Sequence, residues 1–469
     1  MIPPGRPATR ERGDVPDASQ GGASPLVARP RPGAPGRGRT WARNAGVVAL
    51  ALLLLLAIGV RVVLVVQGGL VAGDDFTPYW NGARAVAAGQ SPYAWLAENR
   101  PQEVPDYIYP PLLAMLLAPF ALVLDYAAAR WAWLALSAAC LLVAAALAWR
   151  TSGLRARGPG KMALVPLLVL LPAATSALGA GTLSPVLALT TAGTFAAALG
   201  GRGRLAGALV AVGAYLKSFP ALLGGYLLLR RQWRAALAAL ASGLLLVAAS
   251  LLLLGWQVHW AYLTGVIPAQ RRWFGMPLNV SLTGLFTRLF SAGGFGTPVV
   301  DAPALASLAI GATTAALLAA SAYAIWRARS DRGGEAAAFG LAVVAMLLLS
   351  PINGQYNLVI AVVPVAVAAA AVQRAWPRHL RWLLLIALLL SLPVEPCDLA
   401  LLRDACMGPA GLAEGLPWRQ AWGSLLITGP LWGLLALWAL LFRLCLAPGA
   451  RPVRAGRGAW PLSPRAPAR

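Results

Sequence analysis

The sequence is dominated by a series of apolar runs of about 17 to 25 residues, the length that an α-helix needs to cross the hydrocarbon core of a bilayer. Hydrophobic residues make up 59% of the 469 residues and charged residues only 12%, which excludes a water-soluble globular fold. We therefore expect an all-α polytopic membrane protein, a bundle of about 10–12 transmembrane helices.

The runs define twelve candidate spans, and twelve crossings would return both tails to the cytoplasm. The 109–124 run carries three prolines, and Lys217 and Pro220 interrupt the 203–229 run. Either run can form a re-entrant pair of half-helices, which lowers the count toward ten. The candidate spans are 45–66, 109–124, 127–149, 162–178, 183–199, 203–229, 236–254, 304–326, 336–350, 357–373, 380–394 and 421–444.

The positions of the positively charged residues indicate how the chain is oriented in the membrane. The net charge is +23, but most arginines lie in the two tails and in short loops between apolar runs, which is typical of cytoplasmic loops and argues against a nucleic-acid partner. Residues 1–44 and 446–469 are rich in Pro, Gly and Arg, and we expect two disordered basic cytoplasmic tails around a membrane domain at 45–445. The 45–66 run is too long and too far along the chain for a cleaved signal peptide, so it should stay as an anchor.

Acidic residues gather on the opposite, extracytoplasmic face, which points to chemistry there. The four cysteines show no metal-ligand spacing, so we expect no metal and no cofactor. Cys397 and Cys406 share one predicted outer loop, where a disulfide and two free thiols both remain open.

The first outer loop, residues 73–93, predicts a short amphipathic helix in the membrane interface. Thr77 can cap it before Pro78, and Gly89 can end it in the left-handed conformation. Asp74 and Asp75 precede its positive end, where they have two roles open to them: a favourable dipole interaction alone, or general-base catalysis on a hydroxyl group by Asp75, with Asp74 as neighbour or substitute. Tyr107 and Tyr109, next along the chain, are typical of an aromatic belt at the lipid boundary. The apolar face of the predicted helix would consist of Phe76, Tyr79, Trp80, Ala83, Val86 and Ala87.

Several short motifs in this order resemble glycosyltransferase family 87, the polyprenol-phosphate-mannose-dependent mannosyltransferases. They are D-F-x-x-Y at 75–79, G-x-x-P-Y at 89–93, Y-P-P-L at 109–112, K-S-F-P at 217–220, N-V-S-L at 279–282 with Gly284 and Arg288, and S-P at 350–351. The resemblance covers roughly residues 45–375 and implies a GT-C fold and an inverting transfer from a polyprenyl-phosphate sugar, with no nucleotide sugar. It also implies that Asp75 is the catalytic base.

The chain departs from the family after Ser350-Pro351. Members carry Trp and His shortly after this pair, whereas the histidine position here falls on Tyr356 or Asn357. The sugar is therefore open, with mannose the one that the family implies. Asn353, Gln355 and Tyr356 are either sugar ligands or polar residues at a helix end.

Three cationic positions complete the predicted site. Lys217 lies inside an apolar run, so a lipid phosphate or a carboxylate should compensate it, unless its side chain snorkels. Arg271 and Arg272 lie on the predicted outer side, either binding the donor phosphate or anchoring to anionic lipid. His259 is a further titratable candidate. The predicted substrate contacts are Tyr79, Tyr93, Tyr109, Lys217, Arg271, Arg272, Asn279 and Tyr356.

The resulting hypothesis is a membrane enzyme that transfers a hexose from a polyprenyl-phosphate sugar to a glycan or glycolipid acceptor outside the inner (plasma) membrane. One alternative is a transporter or flippase of lipid-linked sugars, which broken helices also suit, although the acids lie in loops and no repeated halves are evident. The other is a ligase or polymerase of cell-surface polysaccharide, for which a longer outer loop would be expected.

Overall fold

The computed structural model describes residues 75–97, 107–154, 172–276, 279–292, 298–373, 425 and 428–447. Within these ranges the chain is helical and has no β-strand, and a single bridge pairs Asn279 with Gly354. This confirms the all-α membrane fold that the apolar runs predict. The predicted tail 1–44, nearly all of the tail 446–469, the spans 45–66 and 380–394, and Asp74, Cys397 and Cys406 lie outside the described residues.

The helices follow the apolar runs closely. In chain order they are α1 Phe76–Ala87, α2 Pro111–Ala121, α3 Tyr126–Ser152, α4 Pro172–Gly179, α5 Ser184–Leu199, α6 Gly203–Leu216, α7 Leu222–Leu229, α8 Trp233–Leu254, α9 Trp256–Ala261, α10 Leu282–Phe290, α11 Pro303–Arg327, α12 Arg332–Leu349, α13 Val362–Gln373 and α14 Gly429–Leu446. Short 3₁₀ segments at Ala94–Ala97, Phe219–Ala221, Gln270–Trp273 and Gln355–Ala361 connect them, and a π-helical turn, Tyr262–Val266, follows α9.

Five of the described helices, α3, α8, α11, α12 and α14, are long and apolar enough to cross a membrane, and shorter apolar helices accompany them. The total of about 10–12 crossings stays a prediction. Burial differs sharply among the five. Most of α12 is buried, whereas α8 exposes Leu237, Leu244 and Leu252, the last to 87%. A leucine surface of this kind indicates contact with lipid.

The shorter helices include the two runs in which the sequence predicts interruptions. α6 ends at Leu216, Lys217 is extended, and Pro220 sits in the 3₁₀ turn before α7, which confirms the predicted break. α2 has 11 residues. At 1.5 Å per residue it spans about 17 Å, too short for a full crossing.

Two contacts show how the bundle is held. A Cβ at Gly207 of α6 would lie 2.1 Å from the carbonyl oxygen of Ala235 in α8, so only glycine allows these backbones to approach so closely. At the end of α7, Arg230 forms an ion pair with Glu335 of α12 and donates to the carbonyl of Ala328 at 2.8 Å.

The first helix corrects one predicted detail. Thr77 does not cap it, because the helix begins at Phe76 with Asp75 in the cap position, and the Thr77 hydroxyl is hydrogen-bonded to Tyr126 Oη at 2.8 Å. The predicted end is confirmed, since Gly89 has φ +72°. Its aromatic face is buried against protein: Phe76 and Tyr79 both contact the ring of Trp133 in α3.

Candidate active site

The site begins where α1 meets the turn between α4 and α5. The backbone N–H of Asp75 donates to Ala180 O at 2.7 Å. Gly181, with φ +62°, makes the turn tight: a Cβ there would lie 2.9 Å from Phe76 Cβ and 3.2 Å from Arg130 Cζ. The half-buried Asp75 is therefore held at the positive N-terminal end of α1 by a packed turn.

Two side chains from α3 support that turn. Arg130 Nη2 donates to Gly179 O at 2.7 Å, and Trp133 Nε1 donates to Gly181 O at 2.7 Å. The Arg130 guanidinium also lies 5.8 Å from the centroid of the Phe76 ring. Sequence reasoning missed both residues. The signal for Arg130 was present, because it is a charged residue inside the 127–149 apolar run.

Lys217 enters the site from the break between α6 and α7. Its Nζ lies 3.5 Å from Asn357 Oδ1 and 5.5 to 5.6 Å from the ring centroids of Tyr109, Tyr356 and Phe219. Aromatic faces stabilise a cation through the ring quadrupole. Lys217 is thus surrounded by electron-rich groups and points into the bundle.

Asp75 and Lys217 belong to one cluster. The Asp75 carboxylate interacts electrostatically with the Lys217 ammonium and with Tyr356. Burial, followed by the charge of Asp75, raises the pKa of Tyr79 well above its ordinary value. Burial also raises the pKa of Tyr109, with smaller contributions from Tyr79 and Asp75. Both phenols therefore keep their protons at neutral pH and can donate hydrogen bonds.

Tyr93 and Tyr107 support the cluster by hydrogen-bonding to the backbone at Tyr109 and Pro110. Tyr93 Oη donates to Tyr109 O at 2.6 Å, and Tyr107 Oη donates to Pro110 O at 2.7 Å. Both side chains are only 2% exposed, and Tyr109 is 7% exposed. The aromatic-belt interpretation of Tyr107 and Tyr109 is therefore wrong: both side chains are buried in the core, where the Tyr107 hydroxyl has a backbone partner and the backbone oxygen of Tyr109 accepts from Tyr93.

Asn279 fastens the segment that follows Ser350-Pro351. Its Nδ2 donates to Phe274 O at 2.9 Å and to Pro351 O at 3.0 Å, and its Oδ1 accepts from Asn353 N at 2.9 Å and from Ser281 N at 3.3 Å. The side chain is fully buried. The geometry thus gives Asn279 the task of positioning the 351–354 segment.

The residues after this clamp carry polar atoms without partners. The side chains of Asn353 and Gln355 are buried, and among the described residues neither amide has a hydrogen-bond partner for its nitrogen or its oxygen. Asn357 uses its Oδ1 for Ser184 and Lys217, while its Nδ2 has no acceptor in the described ranges. Buried amides are unfavourable unless a polar partner satisfies them, so these groups are available to a polar ligand.

Arg271 and Arg272 lie at the rim of the cluster. Both are exposed on the 3₁₀ helix Gln270–Trp273, and the Arg272 guanidinium lies 5.2 Å from the Trp273 ring centroid. Gln270 Nε2 donates to Ile108 O at 2.8 Å, which holds this segment beside Tyr109. The two arginines are therefore exposed on a segment that is hydrogen-bonded to the residue before Tyr109.

His259 belongs to a separate network. Its Nε2 lies 2.7 Å from Ser250 Oγ and its Nδ1 lies 3.0 Å from Gly255 O, both within hydrogen-bonding distance. These bonds link α8 to α9 and involve neither Asp75 nor Lys217. The contacts therefore give His259 a structural role.

The model of one known family, described as glycosyltransferase family 87, matches residues 107–351, which is just over half of the chain. The chain belongs to glycosyltransferase family 87. No curated protein matches it. Family 87 membership confirms the resemblance and makes the protein a membrane glycosyltransferase, which decides against the transporter or flippase. Asp75 and Tyr79 precede the matched residues, whereas Lys217, Asn279 and Ser350 lie within them.

Proposed function

We propose that the protein transfers a hexose, with mannose as the first candidate, from a polyprenyl-phosphate sugar to a glycan or glycolipid on the extracytoplasmic face of the inner membrane. The observation that carries the proposal is the cluster of Asp75, Lys217, Tyr79, Tyr109 and Tyr356 at the start of α1. A carboxylate, a cation and hydroxyl donors around one point are what sugar transfer to a hydroxyl group requires.

In this proposal Asp75 is the general base. It takes the proton from the acceptor hydroxyl while the hydroxyl oxygen bonds to the anomeric carbon and the bond from that carbon to the phosphate oxygen breaks, leaving polyprenyl phosphate. Lys217 supports this role because its positive charge favours the ionised form of the neighbouring carboxylate. Asp74 is the adjacent carboxylate and the substitute base.

The sugar is recognised by phenols and amides. Tyr79, Tyr109 and Tyr356 belong to the cluster. The amides of Asn353 and Gln355, which have no partner among the described residues, each offer an NH2 donor group and an oxygen acceptor, the combination that sugar hydroxyls complement. Tyr93 and Asn279 act by holding Tyr109 and the 351–354 segment in place.

The arginines at the rim meet the donor from the aqueous side. Arg271 and Arg272 are exposed next to Ile108 and Tyr109, where a lipid-borne phosphate in the outer leaflet would arrive. Guanidinium groups bind phosphate oxygens through charge-assisted hydrogen bonds.

Transfer from labelled donors tests the proposal. Membranes containing the full chain are incubated with radiolabelled polyprenyl-phosphate sugars or, in parallel, with nucleotide sugars while lipid-linked sugar synthesis is blocked. We expect label to reach an acceptor from the polyprenyl-phosphate sugar only. Equal transfer from the nucleotide sugar under the block would refute the proposed donor class.

A further inference from the structure

Arg288 of α10 is held rigidly by part of its guanidinium group. Its Nη1 donates to Met276 O at 2.9 Å and to Asn279 O at 3.0 Å. The helix that carries it is fixed as well, because Ser281 Oγ caps α10 by accepting from Gly284 N at 3.0 Å. The orientation of the guanidinium plane is therefore set by the protein.

The other two nitrogens of the same guanidinium have no hydrogen-bond acceptor in the described part of the chain. Arg288 Nε and Nη2 are buried, and no acceptor among the described residues reaches them. The ion pairs between described residues do not include Arg288. Burial lowers its pKa to about 10, so the group still carries its charge at neutral pH. A buried, charged and half-satisfied guanidinium is unfavourable unless a ligand completes it.

The two empty nitrogens are the ones that suit an oxyanion. Nε–H and Nη2–H point in parallel from one edge of the guanidinium, and such a pair binds two oxygens of a phosphate or carboxylate side by side. Since Nη1 is occupied by carbonyls, the fork is preorganised for a ligand with two anionic oxygens.

The fork is tied to the sugar-binding amides through one residue. Asn279 accepts from Arg288 through its backbone oxygen and from Asn353 N through its Oδ1. Asn353 and Gln355 are the residues whose amides have no partner in the described ranges. Asn279 thus positions both the Arg288 nitrogens and the amides of Asn353 and Gln355. Together these groups match a ligand that joins a phosphate to a hydroxyl-rich group.

Lys217 is directed elsewhere, since its neighbours are the Asp75 carboxylate and Asn357. Arg271 and Arg272 are exposed, whereas the Nε and Nη2 atoms of Arg288 are buried. These differences leave Arg288 as the fixed, buried cation for a phosphate in its reacting position.

We infer that Arg288 binds two non-bridging oxygens of the donor phosphate through Nε and Nη2. This rests on the proposed function and adds a second role: as the bond between the anomeric carbon and oxygen breaks, its electron pair stays on the phosphate, whose charge grows by one unit at the fork while the acceptor proton moves to Asp75. A preorganised donor pair stabilises that growing charge.

Binding of a sugar-free probe tests the inference without turnover. The purified full chain in detergent is titrated with farnesyl phosphate and, in parallel, with farnesol, and binding is followed by ligand-dependent thermal unfolding. We expect farnesyl phosphate to stabilise the protein much more than farnesol. Arg288→Lys keeps the charge but loses the fork, so its affinity for farnesyl phosphate should fall by roughly tenfold or more.

The controls separate binding from folding. Ser281→Ala loosens the cap of α10 but leaves the guanidinium, so it should lower the unfolding temperature and keep the preference for farnesyl phosphate. Wild-type affinity for farnesyl phosphate in Arg288→Lys, or no preference for it over farnesol in the wild type, would overturn the inference.

Asp75→Asn distinguishes this site from the proposed function, because it should keep full farnesyl phosphate binding. If labelled polyprenyl-phosphate sugars give no transfer while Arg288→Lys still loses the probe, the proposed reaction fails and the phosphate site stands. The opposite outcome is sugar transfer from the labelled donor together with unchanged farnesyl phosphate affinity in Arg288→Lys. It rejects only the phosphate site.

Discussion

The carboxamide oxygen of Asn357 accepts a 2.7 Å hydrogen bond from Ser184 Oγ and also faces Lys217 Nζ at 3.5 Å. It joins the start of α5 to the break after α6, although Asn357 is 173 positions from Ser184 and 140 positions from Lys217 in sequence. The cation beside Asp75 is thus oriented by an amide from the segment that follows Ser350-Pro351. This arrangement makes Asn357 a positioning residue for Lys217.

Asn357→Ala should destabilise the protein by about 1–3 kcal/mol, because it removes an acceptor that serves two buried donors. Ser184→Ala is the matched control: it removes one hydroxyl and leaves the amide for Lys217, so it should cost only about 0.5–1.5 kcal/mol. Unfolding free energies in mixed detergent micelles measure both. Equal costs for the two variants would contradict the role of Asn357 toward Lys217.

Asp75→Asn should lower sugar transfer by roughly 10²- to 10⁴-fold, the range that a general base contributes. The amide is nearly the same size as the carboxylate but cannot take the proton, and its loss of charge also removes the partner of Lys217. Initial rates with labelled polyprenyl-phosphate sugar, normalised to protein in the membrane, measure the effect.

Asp125→Asn provides the control for this change. Asp125 caps α3 by accepting from Ala128 N at 2.7 Å, and asparagine caps a helix equally well. Its transfer rate should stay near that of the wild type. A rate above about a tenth of the wild type in Asp75→Asn would assign the base to another residue.

The sequence predicted the helices of this fold because each membrane helix corresponds to a long apolar run. The ends of α3, α5, α8 and α11 fall within a few residues of the predicted spans. The break at Lys217 was also readable, since a lysine and a proline interrupt a run that is otherwise apolar. The family followed from short motifs whose order is more specific than any one of them.

The packing around the site was not readable in the same way. Tyr107 and Tyr109 look like interfacial residues in sequence. Their place in the core is shown only by the structure, in which Tyr107 Oη donates to Pro110 O and the backbone oxygen of Tyr109 accepts from Tyr93. The clamp made by Asn279 depends on residues 351–353, more than seventy positions away. Such contacts depend on tertiary structure, and local patterns carry no signal for them.

Arg271→Ala combined with Arg272→Ala should raise the KM for the polyprenyl-phosphate donor by roughly three- to thirtyfold, with kcat and the acceptor KM little changed. Both arginines are exposed at the rim, and exposed charges contribute modestly to binding. The effect should shrink as salt is raised. Arg84→Ala, at an exposed arginine of α1, is the matched control and should leave the donor KM unchanged. An unaltered donor KM in the double variant would restrict these arginines to anchoring on anionic lipid.

Gly207→Ala should destabilise the bundle by about 1–3 kcal/mol or more, because the added methyl would meet backbone atoms: Ala235 O at 2.1 Å and Ala239 N at 2.6 Å. Backbone cannot rotate away as a side chain can, so α6 and α8 must separate.

Gly243→Ala on α8 is the control, since a Cβ there meets nothing within 4 Å and alanine favours the helix by up to about 1 kcal/mol. Unfolding free energies in mixed micelles should therefore move in opposite directions. A neutral Gly207→Ala would show that the two helices can separate at no cost. Because α6 ends at Leu216, immediately before Lys217, Gly207→Ala should also lower sugar transfer, whereas Gly243→Ala should not.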